Sequence, residues 1–482
     1  MHFFDWLDFH ASARPADTAI VTPRVTLTYG QIRPISLSLA ARLHGLGVRR
    51  GQQVALFALN PALQIALIAA LNRLGAAVCI LPREVPRRKA GLEALAFDWY
   101  LTDAQEESGA KQIPIALDWL NANEPTTGID VSGFASPGDI CLIMMSSGTT
   151  SAPKPIGYTV RQMEYRIMWR GFGEQATIPG ERTALLQGLA SMMGFHIAFG
   201  TLWGGGTIYM GWDAKNVVAL IAGERIHRLF ASPPLMQQTM DAFEQKPANV
   251  SSLRLVYLGG DSIPTTLARR ITQSFCANLL GGFGMNETGQ IAAVSVARSN
   301  FKIEQVGFLY PWAEAQAVDD EDDVLPRGTE GRLRFRSKST SDGYLENPEA
   351  TAAQFKDGWF YSGDSGWVTQ DRMLVFSGRR TETIKTKSAK IAPHKIDQMV
   401  AGYPGIKEAA AFGVAGADDT DEIWLAVVSD RTLDMAALRD FCGEKMGAYA
   451  PAHFMQIDKL PRNEGGKILR WALMDMAREH SG

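Results

Sequence analysis

Five segments of this 482-residue chain carry side chains suited to phosphate and nucleotide chemistry. In the first, the apolar run Ile140-Cys141-Leu142-Ile143-Met144-Met145 leads into Ser146-Ser147-Gly148-Thr149-Thr150-Ser151-Ala152-Pro153-Lys154. A buried strand ending in such a loop turns backbone N–H groups, hydroxyl donors and one lysine toward a single point, which suits a polyphosphate. The loop lacks the G-x-x-x-x-G-K-[ST] spacing of a Walker loop and the G-x-G-x-x-G of a dinucleotide fold. Taken alone it reads equally as a polar surface turn. The second segment, Gly281-Gly282-Phe283-Gly284-Met285-Asn286-Glu287-Thr288-Gly289, combines glycines that let a flat ligand approach the backbone with one carboxylate fit for Mg²⁺. In the third, Asp357 to Asp364, the final Asp follows three aromatics and a glycine, and its two oxygens can accept both hydroxyls of a ribose. Gly378 to Lys387 and Leu460 to Arg470 complete the set, the last placing Lys467 in a glycine-containing loop.

The elements that must position these groups read as α/β layers. Helices are predicted over 31–46, 61–74, about 159–171 and about 216–224. Strands are predicted over 53–59, 78–81, 207–210, 228–231 and 255–258. Thr159 with Gln162 three residues on is a capping box, which starts a helix just after the phosphate loop. From about 306 to 376 the pattern shifts to short strands and turns, and the acidic run 319–323 reads as a solvated hairpin tip.

A chain of this length exceeds one ordinary core, so at least two domains are expected. Their boundary is placed at 378/379, where mixed α/β pattern returns. Hydrophobic content of 46%, charged content of 21% and a net charge of −3 describe a globular protein with no electrostatic call for nucleic acid. The four cysteines are scattered, which indicates neither a disulfide framework nor a zinc site. The stretch 63–81 is broken by Asn72, Arg73 and Gly75, so no membrane span is expected, and the N-terminal acids argue against a secretory leader. A cytoplasmic enzyme is the expectation.

In order and spacing, the five segments resemble those of the adenylate-forming superfamily: acyl- and aryl-CoA synthetases, adenylation domains of peptide synthetases, and luciferases. The resemblance runs from Leu27-Thr28-Tyr29 to Lys467. It implies a large N-terminal domain of layered α/β subdomains plus a small β-rich part, followed by a small, mobile α+β C-terminal domain. It also implies ATP-dependent conversion of a carboxylic acid to acyl-AMP with Mg²⁺, then transfer to a thiol, either CoA or the phosphopantetheine of a carrier protein. Carried over by position, Ser146, Ser147, Gly148, Thr149, Thr150 and Lys154 would cradle phosphates, with Thr149 among the catalytic set. Gly259, Gly260, Asp261, Phe283 and Gly284 would flank the adenine, and Asn286 would face a phosphate oxygen. Glu287 would bind Mg²⁺, Asp364 and Arg379 would hold the ribose, Thr381 would mark the hinge, and Lys385 would contact the nucleotide. Lys467 would be the adenylation lysine.

The chain departs from the family pattern at Ser151 and Pro155 (both usually Gly), Phe283 (usually Tyr), Asn286 (commonly Thr) and Ser388 (usually Gly). Met192 stands where amino-acid-activating relatives carry an Asp. An ammonium beside Met would be poorly solvated, so a non-amino acid is expected. Met192, Phe195, His196 and Gly282 are the expected acid pocket; ordinary core is the competing reading of the Met cluster. Alternatives are a carrier-loading enzyme, an amino-acid-adenylating enzyme, and a catalytically inactive nucleotide-binding partner.

Overall fold

The alternating patterns of the first half fold as parallel strands linked by helices. The computed structural model describes residues 5–104, 109–121, 123–146, 154–169, 176–296, 305–379, 384–386, 390–400, 402–415, 420–429, 432–462 and 468–481. Helix Pro61–Leu74 shows how local sequence sets an element. The Asn60 side chain accepts from the N–H groups of Ala62 and Leu63, a proline occupies the first turn, and Gly75 closes the helix at φ 71°. Every residue of this helix is buried, as an all-round apolar run requires. The box at Thr159 and Gln162 starts helix Val160–Met168.

One sheet has six strands, in the order Lys111–Pro114, Trp99–Thr102, Gln53–Phe57, Ala77–Ile80, Ile140–Met145 and Pro155–Thr159. All neighbours are parallel except the last pair, which is antiparallel with Met145 opposite Pro155. The Ser/Thr/Lys segment therefore joins two hydrogen-bonded strands across residues 147–153.

A second, 14-stranded sheet changes character along its width. Strands Thr207–Met210, Arg182–Leu185, Arg228–Ala231, Leu255–Gly259 and Leu279–Met285 run parallel. Beyond Leu279–Met285 the neighbours are antiparallel, beginning with Gly289–Ser295. The glycine-rich segment and Glu287 sit at this change of direction, at the carboxyl ends of parallel strands, where open α/β sheets bind ligands. The largest apolar cluster joins residues of both sheets, among them Leu56, Ile80, Met144, Phe199 and Tyr257. The acidic run follows strand Ala313–Val318 as an exposed tip, tied back by Arg332 to Asp322 at 2.7 Å.

After Arg379 the strands form their own sheets. Strands Glu408–Ala415, Asp421–Val428 and His453–Gln456 make a three-stranded sheet with alternating faces. One face packs Ala411, Ile423 and Leu425 against Ile396 and Leu438; the other packs Phe412 and Trp424 against Leu473 and Ala477. Asp397 of helix Pro393–Val400 is half-buried against Arg470, and desolvation pushes its carboxyl up to about 6 despite that partner. All four cysteines are buried and reduced. No helix among the described residues is long and apolar enough to cross a membrane.

Candidate active site

The turn carrying Glu287 is gripped from several sides. The Tyr158 hydroxyl, on the strand leaving the phosphate loop, donates to the Asn286 carbonyl at 2.9 Å. Arg166, 3% exposed, donates from Nη2 to the carbonyls of Glu287 at 3.2 Å and Ser339 at 2.6 Å. Its guanidinium lies 4.4 Å from the centre of the Tyr158 ring. The Ser341 N–H donates to the Glu287 carbonyl at 2.7 Å. From the opposite side, the Asn286 amide donates to the Met145 carbonyl at 3.0 Å. Met145 precedes the phosphate loop and Tyr158 follows it, so the carboxylate turn is fixed to both flanks of that loop. One of the two Asn286 amide N–H groups is thus committed to the backbone, which fixes the side chain beside the loop where a phosphate contact is expected. Gly289, at φ 76°, completes the turn; a Cβ there would lie 2.9 Å from Ser339 Oγ.

The Glu287 side chain is buried, and the Tyr344 hydroxyl lies 2.9 Å from its Oε1. The same hydroxyl is 2.8 Å from the Gln354 side-chain amide. A phenol has one proton, so it serves either Glu287 or Gln354 Oε1 at a time, while Gln354 Nε2 lies 3.5 Å from the Tyr361 carbonyl. Burial pushes the Glu287 carboxyl above the usual carboxylate range, opposed by its own backbone N–H, Tyr344, Arg379 and Arg166. Lys154 Nζ stands 4.9 Å from the centre of the Tyr344 ring. Tyr344 therefore touches both the loop's lysine and the Glu287 carboxylate, although nothing in the sequence singles it out.

Asp364 and Arg379 face each other across adjacent strands, and Arg379 Nε donates to Asp364 Oδ1 at 2.9 Å. Asp364 is 1% exposed, and the charge of Arg379 also reaches Glu287. Gly260 and Asp261 are exposed at the end of strand Leu255–Gly259, and the charge of Asp261 reaches Asp397 in the C-terminal part. Gly284 is exposed near the end of its strand. Phe283 is half-buried against Phe335, ring centres 5.7 Å apart. Lys385 belongs to the short pair Ile384–Lys385 with Lys390–Ile391.

Ser147, Gly148, Thr149, Thr150, Ser151, Thr381, Ser388 and Lys467 lie outside the described residues. The residues bracketing two of these segments are tied together. The Ser146 N–H donates to the Lys154 carbonyl at 2.7 Å, and the Lys154 N–H returns to Ser146 Oγ at 2.8 Å. Arg462 and Ile468 pair as an antiparallel bridge around 463–467.

Beside the Glu287 turn lies a small cleft lined by Arg166, Trp169, His196, Gln290, Trp312 and Ser339. Its aromatic wall is a column: Tyr165 stacks on Trp169 at 5.7 Å, Trp169 on Trp312 at 5.0 Å, and Trp312 on Tyr310 at 4.5 Å. Of the expected acid pocket, His196 lines this cleft. Met192 and Phe195 are instead buried in the main core, Phe195 tilted against Phe199 with ring centres 4.2 Å apart. Gly282 lies on the strand beside it. One signal for Arg166 was present in the sequence: an arginine on the apolar face that also carries Met163 and Ile167.

Comparison with known proteins agrees with this geometry. The family described as AMP-binding enzyme matches residues 7–345, and the AMP-binding enzyme C-terminal domain matches residues 395–467. The chain belongs to this adenylate-forming family. It is 25% identical over 503 residues to 4-chlorobenzoate–CoA ligase of Arthrobacter sp, covering 99% of this chain and 96% of that one. It is 26% identical over 484 residues to 2-succinylbenzoate–CoA ligase of Listeria monocytogenes serotype 4b (strain F2365), covering 97% and 98%. O-succinylbenzoate coenzyme A synthetase from Bacillus subtilis, solved with ATP and magnesium ion, shares the fold at TM-score 0.84 and 22% identity over 97% of this chain and 98% of that one.

Proposed function

We propose that the protein uses ATP to convert an aromatic, non-amino carboxylic acid to its acyl-adenylate, releasing pyrophosphate, and then transfers the acyl group to CoA. What carries this reading is the meeting of Lys154, Tyr344, Glu287, Arg379 and Asp364 around the tied neck of the Ser/Thr loop. A carboxylate and a triphosphate repel each other, so their reaction needs cations placed where negative charge grows. Lys154 supplies one from the large domain. Lys467 supplies the other, on a small domain that follows Arg379 (one residue later than the boundary expected from sequence, because Arg379 ends a strand of the large sheet), hinges at Thr381 and rotates between half-reactions.

Glu287, a single buried carboxylate held by Tyr344, fits as the protein's ligand to Mg²⁺, which would supply positive charge to offset that of the phosphates. Among the described residues no three His, Cys, Asp or Glu converge on a point, so a metal here depends on the nucleotide. Binding it requires the carboxyl to release its proton. Tyr344 and Arg379 favour that anion. Asp364, set by Arg379, accepts the ribose hydroxyls, while Gly259, Gly260, Asp261 and Phe283 border the base. The remaining loop residues, Ser146 to Thr150, and Lys385 contact the phosphate and nucleotide side.

The aromatic wall of the cleft and the acids named for the two relatives both favour an aryl acid. The relatives' acceptor favours CoA over a carrier protein, and a cytoplasmic location follows from that substrate. Acid-dependent ATP–pyrophosphate exchange over aryl, aliphatic and amino acids tests the first half-reaction. Thioester formation with CoA, compared with a phosphopantetheinylated carrier protein, tests the second. Exchange with an aryl acid and a CoA thioester are expected; no exchange with any acid overturns the reading, and transfer to the carrier alone overturns the acceptor.

A further inference from the structure

Strands Leu255–Gly259 and Leu279–Met285 run in parallel register, with Tyr257 opposite Leu280 and Gly259 opposite Gly282. Gly284 in turn faces Gln290 across the next, antiparallel pair. Side chains alternate along a strand, so Tyr257, Gly259 and Gly282 share one face. That face looks toward helix Met192–Trp203: Tyr257 belongs to the same core as Phe195, and Met193 Sδ lies 2.7 Å from where a Cβ on Gly259 would sit. Two neighbouring glycines without side chains would leave a slot in the sheet surface.

The slot is filled. A Cβ added to Gly282 would lie 1.6 Å from the Tyr257 hydroxyl. Gln290 Nε2 donates to that hydroxyl at 2.8 Å and to the Tyr310 hydroxyl at 3.1 Å. The Tyr257 ring, 2% exposed, leans on Phe230 with centres 5.3 Å apart. Gln290 also lines the aromatic cleft. Directly behind Gln290, the space is therefore taken by a tyrosine held by hydrogen bond and packing.

We propose that Tyr257 sets the size limit of the acid, confining the enzyme to compact carboxylic acids of about one ring and rejecting alkyl-extended ones. The proposal rests on the ligase reading above, since it takes the cleft as the acid site. A ring fixed from two sides cannot yield space to a chain passing Gln290, whereas the thioether of Met193 can shift. Tyr257 acts by exclusion, so removing it should change selectivity rather than the chemistry.

The test compares wild type with Tyr257→Ala, Tyr257→Phe and, as a strand-compatible second choice, Tyr257→Val. Pyrophosphate exchange is measured with benzoate and 4-butylbenzoate. The Ala and Val variants should narrow the wild-type preference for benzoate by about tenfold or more, on the scale by which a few methylenes are discriminated. Tyr257→Phe should stay near wild type because the ring remains. A readout independent of activity is Gly282→Ala, which should melt well below wild type and regain stability when combined with Tyr257→Ala. Wild-type exchange with either acid upholds the ligase reading whatever Tyr257 does. An unchanged acid ratio in a folded Tyr257→Ala or Tyr257→Val enzyme overturns the size limit alone, as does a Gly282→Ala protein that melts like wild type.

Discussion

The two halves of the site are held by different kinds of contact. On the nucleotide side, the Asn286–Glu287 turn receives or gives hydrogen bonds at Met145, Tyr158, Arg166 and Ser341, nearly all to main-chain carbonyls. On the acid side, the cleft's wall is built of stacked rings, Trp169 on Trp312 and Trp312 on Tyr310. Hydrogen bonds are directional and fix a charge closely, while ring faces tolerate lateral shifts. Single polar changes on the nucleotide side should therefore cost rate, and changes on the acid side should redirect selectivity.

The largest expected effect is at Lys467. Lys467→Ala should lower adenylation by about 10²–10³-fold, on the scale of a lost oxyanion donor. Thiolysis of supplied acyl-AMP should be spared, and near-normal pyrophosphate exchange would remove Lys467 from its role.

Glu287→Gln comes next, with a loss of about 10²-fold or more at ordinary Mg²⁺. It should also stabilise the ligand-free protein at neutral pH. The folded carboxyl sits above its unfolded value, so the native state holds the extra proton, and stability falls as pH rises through the folded value. The Gln variant lacks that fall. Its melting advantage should therefore grow with pH and vanish in acid, and a wild type equally stable across that range would contradict the buried-carboxyl account.

Tyr344→Phe should cost about tenfold in kcat/KM, the scale of one hydrogen bond to a charged group, with the requirement for Mg²⁺ shifted upward. A variant with unchanged Mg²⁺ dependence would reduce Tyr344 to packing. The mildest change belongs to the other half of the site: Trp312→Leu should alter the ratio of aryl to aliphatic acids by several-fold while leaving the KM for ATP near wild type. If ATP binding moves instead, the division between the two halves fails.

Much of the scaffold could be read from the sequence because it is local. Helix Pro61–Leu74 and strands Thr207–Met210 and Arg228–Ala231 fall where periodicity placed them, since Asn60, Pro61 and Gly75 punctuate one and β-branched or apolar runs mark the others. The charged residues proposed for the nucleotide side stand out in the sequence for a similar reason: each sits in a short segment of distinctive composition. The supporting contacts were not. Arg166 meets Glu287 across 121 positions, Tyr344 meets it across 57, and Tyr257 meets Gln290 across 33. No local pattern announces such partners; strand register creates them. Met192 and Phe195 misled because an apolar helix start reads alike whether it faces ligand or core.

The buried cysteines bear on the acceptor. Burial pushes the Cys79 thiol up to about 12 and the Cys442 thiol up to about 11, and raises Cys141 and Cys276 as well. Disulfide exchange needs a thiolate that can reach its target. An enzyme that works beside CoA and its oxidised dimer meets a standing risk of mixed disulfides, and this fold offers those reagents no reachable sulfur of its own. Catalysis should consequently survive oxidised CoA at concentrations that inactivate enzymes with surface thiols, and modification should begin only as the protein unfolds.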